Sequence, residues 1–284
     1  MRHATTPPKK PEKSPQWPNR YLAFQSKTID LSHDEILYVE DLHVSFDGFA
    51  AIQGLNLYLQ PGELRCVIGP NGAGKTTLMD VITGKTGPRN AKVTGTVYLG
   101  QSINLLHHTE SEIAQMGIGR KFQKPTIFEA LAVWENLQLA RKEDKSWWAA
   151  LPVGLSTELE LAISECLATV GLMARALDCA GDLSHGEKQR LEIGMLLMQK
   201  PDLLLLDEPA AGMSDEETRD LAIVLNRLRG SCSMMVIEHD IGFVQSLSGA
   251  FGKVTVLAEG KVLSEGTLEK VKADPAVIES YLGR

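Results

Sequence analysis

The chain is poor in the features that would fix it outside a cell or within a bilayer. It has four cysteines in 284 residues, Cys66, Cys166, Cys179 and Cys232, with no C-x-x-C pair among them. That excludes a disulfide framework and a thiolate metal site, and a buried reduced thiol is expected at Cys66, inside an apolar run. Nowhere do 18 apolar residues follow one another, so no membrane-spanning helix is expected. Basic excess is missing too: the net charge of −7 argues against a surface that tracks nucleic acid. No internal repeat is visible. The first twenty residues hold five prolines and a local charge of +4, with no apolar stretch behind them. They read as a flexible tail, taken to residue 33, rather than a secretory signal.

What the chain does contain is a glycine-rich octet, Gly69-Pro70-Asn71-Gly72-Ala73-Gly74-Lys75-Thr76, directly after the apolar run Leu64–Ile68. This is G-x-x-x-x-G-K-[ST] in a strand-then-helix setting. The glycines allow a tight turn whose N–H groups converge on a polyphosphate. Lys75 can reach the β- and γ-phosphates, the Thr76 hydroxyl can ligate Mg²⁺, and Thr77 follows in the same helical turn. The helix that begins here presents its positive end to the anion.

Leu55, Leu57 and Leu59 alternate with Asn56, Tyr58 and Gln60, and Pro61-Gly62 then suggests a hairpin into the next strand. Together with Thr94–Leu99 this predicts an antiparallel β region. Leu203–Leu206, Met234–Ile237 and Val254–Leu257 are continuous apolar runs, as in a parallel sheet buried on both faces. The first two end in Asp207-Glu208 and Glu238-His239, at the strand ends where ligands of open α/β sheets bind. From about 110 to 200 the pattern is helical, with Leu191, Met195 and Met198 on one core-facing stripe. Arg141–Glu158 reads as an irregular connection or extra helix. His107-His108 reads as a solvated pair, since no acid or cysteine spacing supports ligation.

Leu203–Asp207 is an apolar strand capped by an acid. Asp207 can support a Mg²⁺ shell, and Glu208 can polarise an attacking water, because neighbouring strand side chains point in opposite directions. Leu183-Ser184-His185-Gly186-Glu187 carries an S-x-x-E capping box, whose helix N-terminus is also suited to a second anion.

The ordered set of phosphate loop, Gln123, LSHGE, LLLLDEP and His239 resembles the nucleotide-binding subunit of an ATP-binding-cassette (ABC) transporter over residues 35–284. The resemblance implies an α/β P-loop core with an antiparallel β subdomain and a helical subdomain inserted at about 110–185. It also implies ATP and Mg²⁺ as cofactors, ATP hydrolysis, and two such subunits closing head-to-tail around two ATP molecules. Ser184 and Gly186 would then touch, in trans, the γ-phosphate held by the partner. Gln123 would sense Mg²⁺ and the γ-phosphate, His239 would hold the γ-phosphate and water, and Phe46 would stack on adenine. Three positions, His185, Glu187 and Ser214, depart from the family pattern. LSHGE replaces LSGGQ, and Ser214 stands where the family has Asp, which puts the hydrogen bonds of that loop across the subunit boundary in doubt.

G-I-G-R-K-F-Q-K-P-T at 117–126, D-V-I-T-G-K-T at 80–86, D-E-P-A-A-G-M at 207–213 and the terminal Y-L-G-R resemble the importer branch for branched-chain amino acids and urea. They look most like the urea type, with branched-chain amino acids as the nearest alternative. A non-transport ABC ATPase acting on nucleic acid or ribosomes is the rival from another class. The implied partners are a like or sister ATP-binding subunit, two membrane-spanning permeases and, indirectly, a periplasmic solute-binding protein. The implied place is the cytoplasmic face of a bacterial inner membrane, bound peripherally.

Overall fold

The ten-residue strand β1 (Leu37–Phe46) and β2 (Phe49–Leu59) pair antiparallel, with Phe46 opposite Phe49 across a two-residue turn. Both turn residues, Asp47 and Gly48, have positive φ, 46° and 91°. An Asp-Gly pair supports that mirror-image turn, which matches the twist of the flanking strands. The hairpin therefore lies here and not across Pro61-Gly62. Those two residues carry the chain out of one sheet and into another, where β3 (Leu64–Ile68) begins. The burial patterns explain the difference. β2 alternates over its last five residues because one face is covered, whereas every residue of β3 is buried.

The computed structural model describes residues 29–31, 35–121, 126–141, 157–249 and 252–282. With β4 (Lys92–Leu99) and β5 (Ile103–Asn104), the hairpin forms a four-stranded antiparallel sheet in the order β2-β1-β4-β5. The second sheet adds β6 (Ile118–Lys121), β7 (Leu203–Asp207), β8 (Ser233–Ile237), β9 (Val254–Ala258) and β10 (Lys261–Gly266) in the order β10-β9-β3-β8-β7-β6. Strands β9, β3, β8, β7 and β6 run parallel, and β10 returns antiparallel at the edge. The three continuous apolar runs are β7, β8 and β9, and the core strands β3, β7 and β8 are buried along their whole length.

Both sheets belong to one compact unit, which the chain enters and leaves, with segments Asn19–Gln123, Pro201–Ala211 and Leu228–Arg284. Its core is continuous. Val39, Leu42, Leu55 and Leu57 of the antiparallel sheet share a cluster with Val67, Leu205, Met235 and Ile237 of the other, and with Leu78, Met79 and Ile82 of α1 (Lys75–Ile82). A fully buried cation, Arg65, ties the strands together. It pairs with Glu63 and Glu265 at 2.6 Å each, donates to Thr255 Oγ1 at 3.0 Å and to the Tyr58 carbonyl at 3.1 Å. Desolvating a guanidinium is tolerable only with its donors satisfied in this way. The rest of this unit's helices are α2 (Glu110–Gln115), α7 (Ile241–Ser248), α8 (Leu268–Ala273) and α9 (Pro275–Leu282).

The second unit comprises Lys124–Lys200 and Gly212–Arg227. It contains α3 (Val133–Leu139), α4 (Thr157–Thr169), α5 (His185–Met198) and nearly all of α6 (Asp215–Leu228). Gly194 lets α5 approach closely: a Cβ there would meet Leu137 Cδ2 at 3.0 Å and Cys166 Sγ at 3.3 Å. The buried stripe of α5 is Leu191, Gly194 and Met198, and Met195 is only half-buried.

Three expected boundaries move. The helical subdomain implied at about 110–185 includes β6, which is an edge strand of the six-stranded sheet, and α5 passes its end to Met198, within the helical pattern expected to about 200. The tail expected to residue 33 is anchored before its end. Ile29 is buried in the core cluster, and the Gln101 N–H donates to the Asp30 carbonyl at 3.0 Å. The connection expected at Arg141–Glu158 lies mostly outside the described residues, and its last two residues open α4.

Candidate functional site

The octet joins β3 to α1 as its pattern predicts. Gly69 is buried, and a Cβ at that position would lie 2.2 Å from the Leu257 carbonyl oxygen on β9, so no larger residue fits. Gly74 holds a φ of 98° as the residue before α1, and a Cβ there would meet the Ala51 carbonyl at 2.8 Å. The loop is thus wedged between β9 and β2. Pro70 is half-buried and Ala73 buried, while Asn71, Gly72 and Thr76 are exposed and Thr77 is half-buried. Lys75 folds back over the loop, its Nζ donating to the Gly69 carbonyl at 2.7 Å and the Pro70 carbonyl at 3.0 Å. Burial lowers the Lys75 pKa, and the carboxylates of Glu208 and Asp207 oppose that shift. The lysine and both acids therefore share one electrostatic neighbourhood.

Asp207 ends β7 and is buried. Burial raises its pKa, opposed by Arg120 and reinforced by Glu208 and Asp80. Arg120, on β6, bridges the acids: Nη1 lies 2.5 Å from Asp80 Oδ1 and Nη2 lies 3.5 Å from Asp207 Oδ2. Glu208 follows with a φ of 46°, an unusual backbone for a non-glycine residue. Its N–H donates to the Ile237 carbonyl at 3.0 Å, which locks the acid beside the end of β8. Two residues beyond β8, His239 Nδ1 stands 3.7 Å from Glu208 Oε1. The histidine is 62% exposed and the glutamate 27%, so both face solvent at neighbouring strand ends.

A hard cation at a phosphate loop takes one or two protein oxygens and the phosphate oxygens, with water completing the shell. The donor set here fits that requirement: an exposed Thr76 hydroxyl at the loop–helix junction and a buried Asp207 carboxylate that Lys75 senses. No group of three or more His, Cys, Asp or Glu suited to a metal occurs among the described residues, so an all-protein cage is not the alternative there.

Gln123 lies outside the described residues. Phe46 is half-buried against the core, whereas its cross-strand partner Phe49 is 70% exposed. In the helical unit, Ser184 and Gly186 open α5. The capping box is complete: the Ser184 N–H donates to Glu187 Oε2 at 2.9 Å and the Glu187 N–H donates to Ser184 Oγ at 3.2 Å.

Three residues to which the sequence pattern assigns no role take part in these arrangements. Arg120 stands in the sequence only within the motif at 117–126. Glu238 is almost wholly buried, and its Oε1 accepts the Ala210 N–H at 3.0 Å, which supports the turn after Glu208. Glu217 reaches Ser184 and Gly186 from α6 and carried no signal beyond an ordinary S-x-x-E box with Ser214.

The comparisons with known proteins agree with this geometry. Residues 52–211 match the model of the ABC transporter family, and residues 261–284 match that of the branched-chain amino acid ATP-binding cassette transporter. The chain is 35% identical over 257 residues to the high-affinity branched-chain amino acid transport ATP-binding protein LivG of Escherichia coli K12, covering 87% of this chain and 98% of that one. It is 36% identical over 258 residues to BraF of Pseudomonas aeruginosa, a protein of the same description, with the same coverage. Among solved structures, a nucleotide-free ATP-binding cassette from an ABC transporter superposes with a TM-score of 0.73 at 28% identity, covering 88% of this chain and all of that one. A phosphate loop, an acid-ended strand and a neighbouring histidine on this sheet order, matched along most of the chain, have one reading: the chain belongs to the ABC transporter family and is an ATP-binding cassette that hydrolyses ATP.

Proposed function

We propose that this cassette energises the import of branched-chain amino acids. The observation that carries its catalytic reading is the pairing of Glu208 and His239 at 3.7 Å beside the lysine of the phosphate loop. Backbone N–H groups from Gly69 to Thr77 cradle the phosphates of ATP, and Lys75 leaves its loop carbonyls to meet the β- and γ-phosphates. Thr76 and Asp207 would hold Mg²⁺, with Gln123 as the further ligand that the resemblance implies, and the ion would supply charge neutralisation to the phosphates. Glu208 takes a proton from water as the oxygen attacks the γ-phosphorus and the bond to the β-phosphate oxygen breaks, leaving ADP and phosphate. His239 orients that water, and Phe46 at the hairpin lines the base.

Two such subunits, identical or sister chains, close around ATP with Ser184 and Gly186 of each contacting the γ-phosphate of the other. ATP favours the closed pair and hydrolysis releases it, and this cycle drives two permease subunits. Among the described residues no helix is long and apolar enough to cross a membrane, which supports peripheral attachment through those permeases at the cytoplasmic face. A solute-binding protein on the far side completes the importer.

For cargo, the match at 261–284 and the LivG and BraF relatives favour the branched-chain reading over the urea type that the sequence motifs brought first. The test is uptake by vesicles containing the complex purified with its permeases. ATP-dependent accumulation of labelled leucine is expected. Accumulation of labelled urea without leucine would reverse the assignment.

A further inference from the structure

The donors at the start of α5 are already engaged by an anion of the same chain. Glu217 lies in the first turn of α6, three residues after Ser214. Its Oε2 accepts from the Ser214 N–H at 3.0 Å and from Ser214 Oγ at 3.1 Å, and the Glu217 N–H donates to Ser214 Oγ at 3.3 Å. This is a complete capping box for α6. The other oxygen, Oε1, leaves that helix and accepts from Ser184 Oγ at 2.8 Å and from the Gly186 N–H at 3.0 Å.

Helix α5 does not need this second carboxylate for its own cap. Glu187 already closes the box with Ser184, accepting the Ser184 N–H and donating its own N–H to Ser184 Oγ. At that helix end the Ser184 hydroxyl proton and the Gly186 N–H converge on a single point. They are a ready-made pair of anion donors, and Glu217 Oε1 sits on them. The approach is close: a Cβ on Gly186 would meet Cγ of Glu217 at 2.7 Å, so a side chain at position 186 and a seated Glu217 exclude each other. Hydrogen bonds from the Ser214 N–H, the Ser184 hydroxyl and the Gly186 N–H together hold the Glu217 carboxyl down at about 2.

We infer that Glu217 is an internal stand-in for the γ-phosphate: its carboxylate occupies the Ser184–Gly186 donors in the open subunit, and a partner's ATP must displace it for the pair to close. The inference rests on the proposed closure of two subunits with these donors facing the partner's nucleotide. Displacement is local. Rotation of the Glu217 side chain frees Oε1, while the Ser214 cap can keep Oε2 and with it the first turn of α6. The device sets a threshold, because ATP must outcompete a tethered anion of the same chain before the second half of each site is complete.

The test reads the donors directly in the isolated full-length chain. In ¹⁵N-labelled protein, the Gly186 amide resonance is followed during titration with inorganic phosphate for the parent, Glu217→Gln and Glu217→Ala. Glutamine still serves a capping box but lacks the charge. The Gly186 amide should bind phosphate weakly in the parent, more tightly in Glu217→Gln and most tightly in Glu217→Ala. About tenfold is expected between the extremes, equivalent to ~1.4 kcal/mol. Amides of the phosphate loop serve as an internal control and should respond alike in all three. Equal affinities at Gly186 in parent and variants would overturn the inference. So would a Gly186 amide that stays silent in a Glu217→Gln protein with unchanged thermal unfolding, since Glu217 would then be a strut between helices. Phosphate-loop amides that ignore ATP in every protein would instead strike the proposed function, and the Gly186 result would remain readable.

Discussion

The two anion-receiving turns of this molecule are built on opposite plans. The phosphate loop is wedged in the sheet unit between β9 and β2, and its lysine rests on carbonyls of its own loop. At the start of α5, in the helical unit, Ser184 is exposed and Gly186 buried, and the donors of both are filled by Glu217. The acids around them differ in the same sense. Burial raises Asp207 and Glu238 in the sheet unit, and hydrogen bonds from Ser214, Ser184 and Gly186 pull Glu217 down. One turn is fixed by neighbouring backbone; the other is closed around a carboxylate of its own chain. A rigid turn suits the tight holding of a ligand, and a filled, exchangeable turn suits a contact that must form and break in each cycle.

The widest separation between the two plans should appear in turnover. Glu208→Gln keeps the phosphate loop intact and removes the proton acceptor, so ATP binding should persist while hydrolysis falls about 10²–10⁴-fold. Lys75→Ala should instead lose nucleotide binding itself, and hydrolysis with it. Equilibrium binding of a fluorescent ATP analogue beside a phosphate-release assay separates the two. Unimpaired hydrolysis by Glu208→Gln would remove that residue from the chemistry. Ser184→Ala deletes one donor from the filled turn and should leave nucleotide affinity of the isolated chain unchanged.

A smaller contrast lies in how each turn tolerates a methyl group. At Gly69 the obstacle is the Leu257 carbonyl of β9, which cannot step aside, and Gly69→Ala should cost ~1–3 kcal/mol in denaturant unfolding. At Gly186 the obstacle is the Glu217 side chain, and alanine is the better helix former there. Gly186→Ala should therefore cost less than Gly69→Ala and expel Glu217. Equal destabilisation at the two positions would mean that α6 is as immovable as β9.

How far the sequence exposed these two plans follows from the range of the interactions. The phosphate loop is local: eight consecutive residues and the strand before them carry its geometry, and β7, β8 and β9 announce themselves as unbroken apolar runs. The acid and histidine at the ends of β7 and β8 were legible because strand ends collect ligands. Pro61-Gly62 resembles a turn between paired strands, yet the hairpin turn is Asp47-Gly48, where both residues adopt positive φ. The bridge from Glu217 to Ser184 spans 33 residues of chain, and each half of it already reads as a satisfied capping box. The pairings of Arg120 and Glu238 are hidden likewise, since their partners come from other strands and turns.

The finest distinction between the two turns is the order in which their acids titrate. The Ala210 N–H donates to Glu238, whose carboxyl burial raises above its ordinary 4.5, and the Gly186 N–H donates to Glu217, whose carboxyl is held at about 2. As pH falls, the Ala210 amide should lose its charged acceptor first, above pH 4.5, and the Gly186 amide last, near pH 2. The two acids also act on stability in opposite senses. Glu217 has a depressed folded pKa, so its contribution is complete above pH 4.5 and fades as pH falls toward 2. Glu238 is raised, so its protonation relieves the buried charge before that fading begins. Amide proton shifts followed through an acid titration report both events residue by residue, and Glu217→Gln should abolish only the later one. A single shared midpoint for Ala210 and Gly186 would show that the two turns do not differ in the way their hydrogen bonds require.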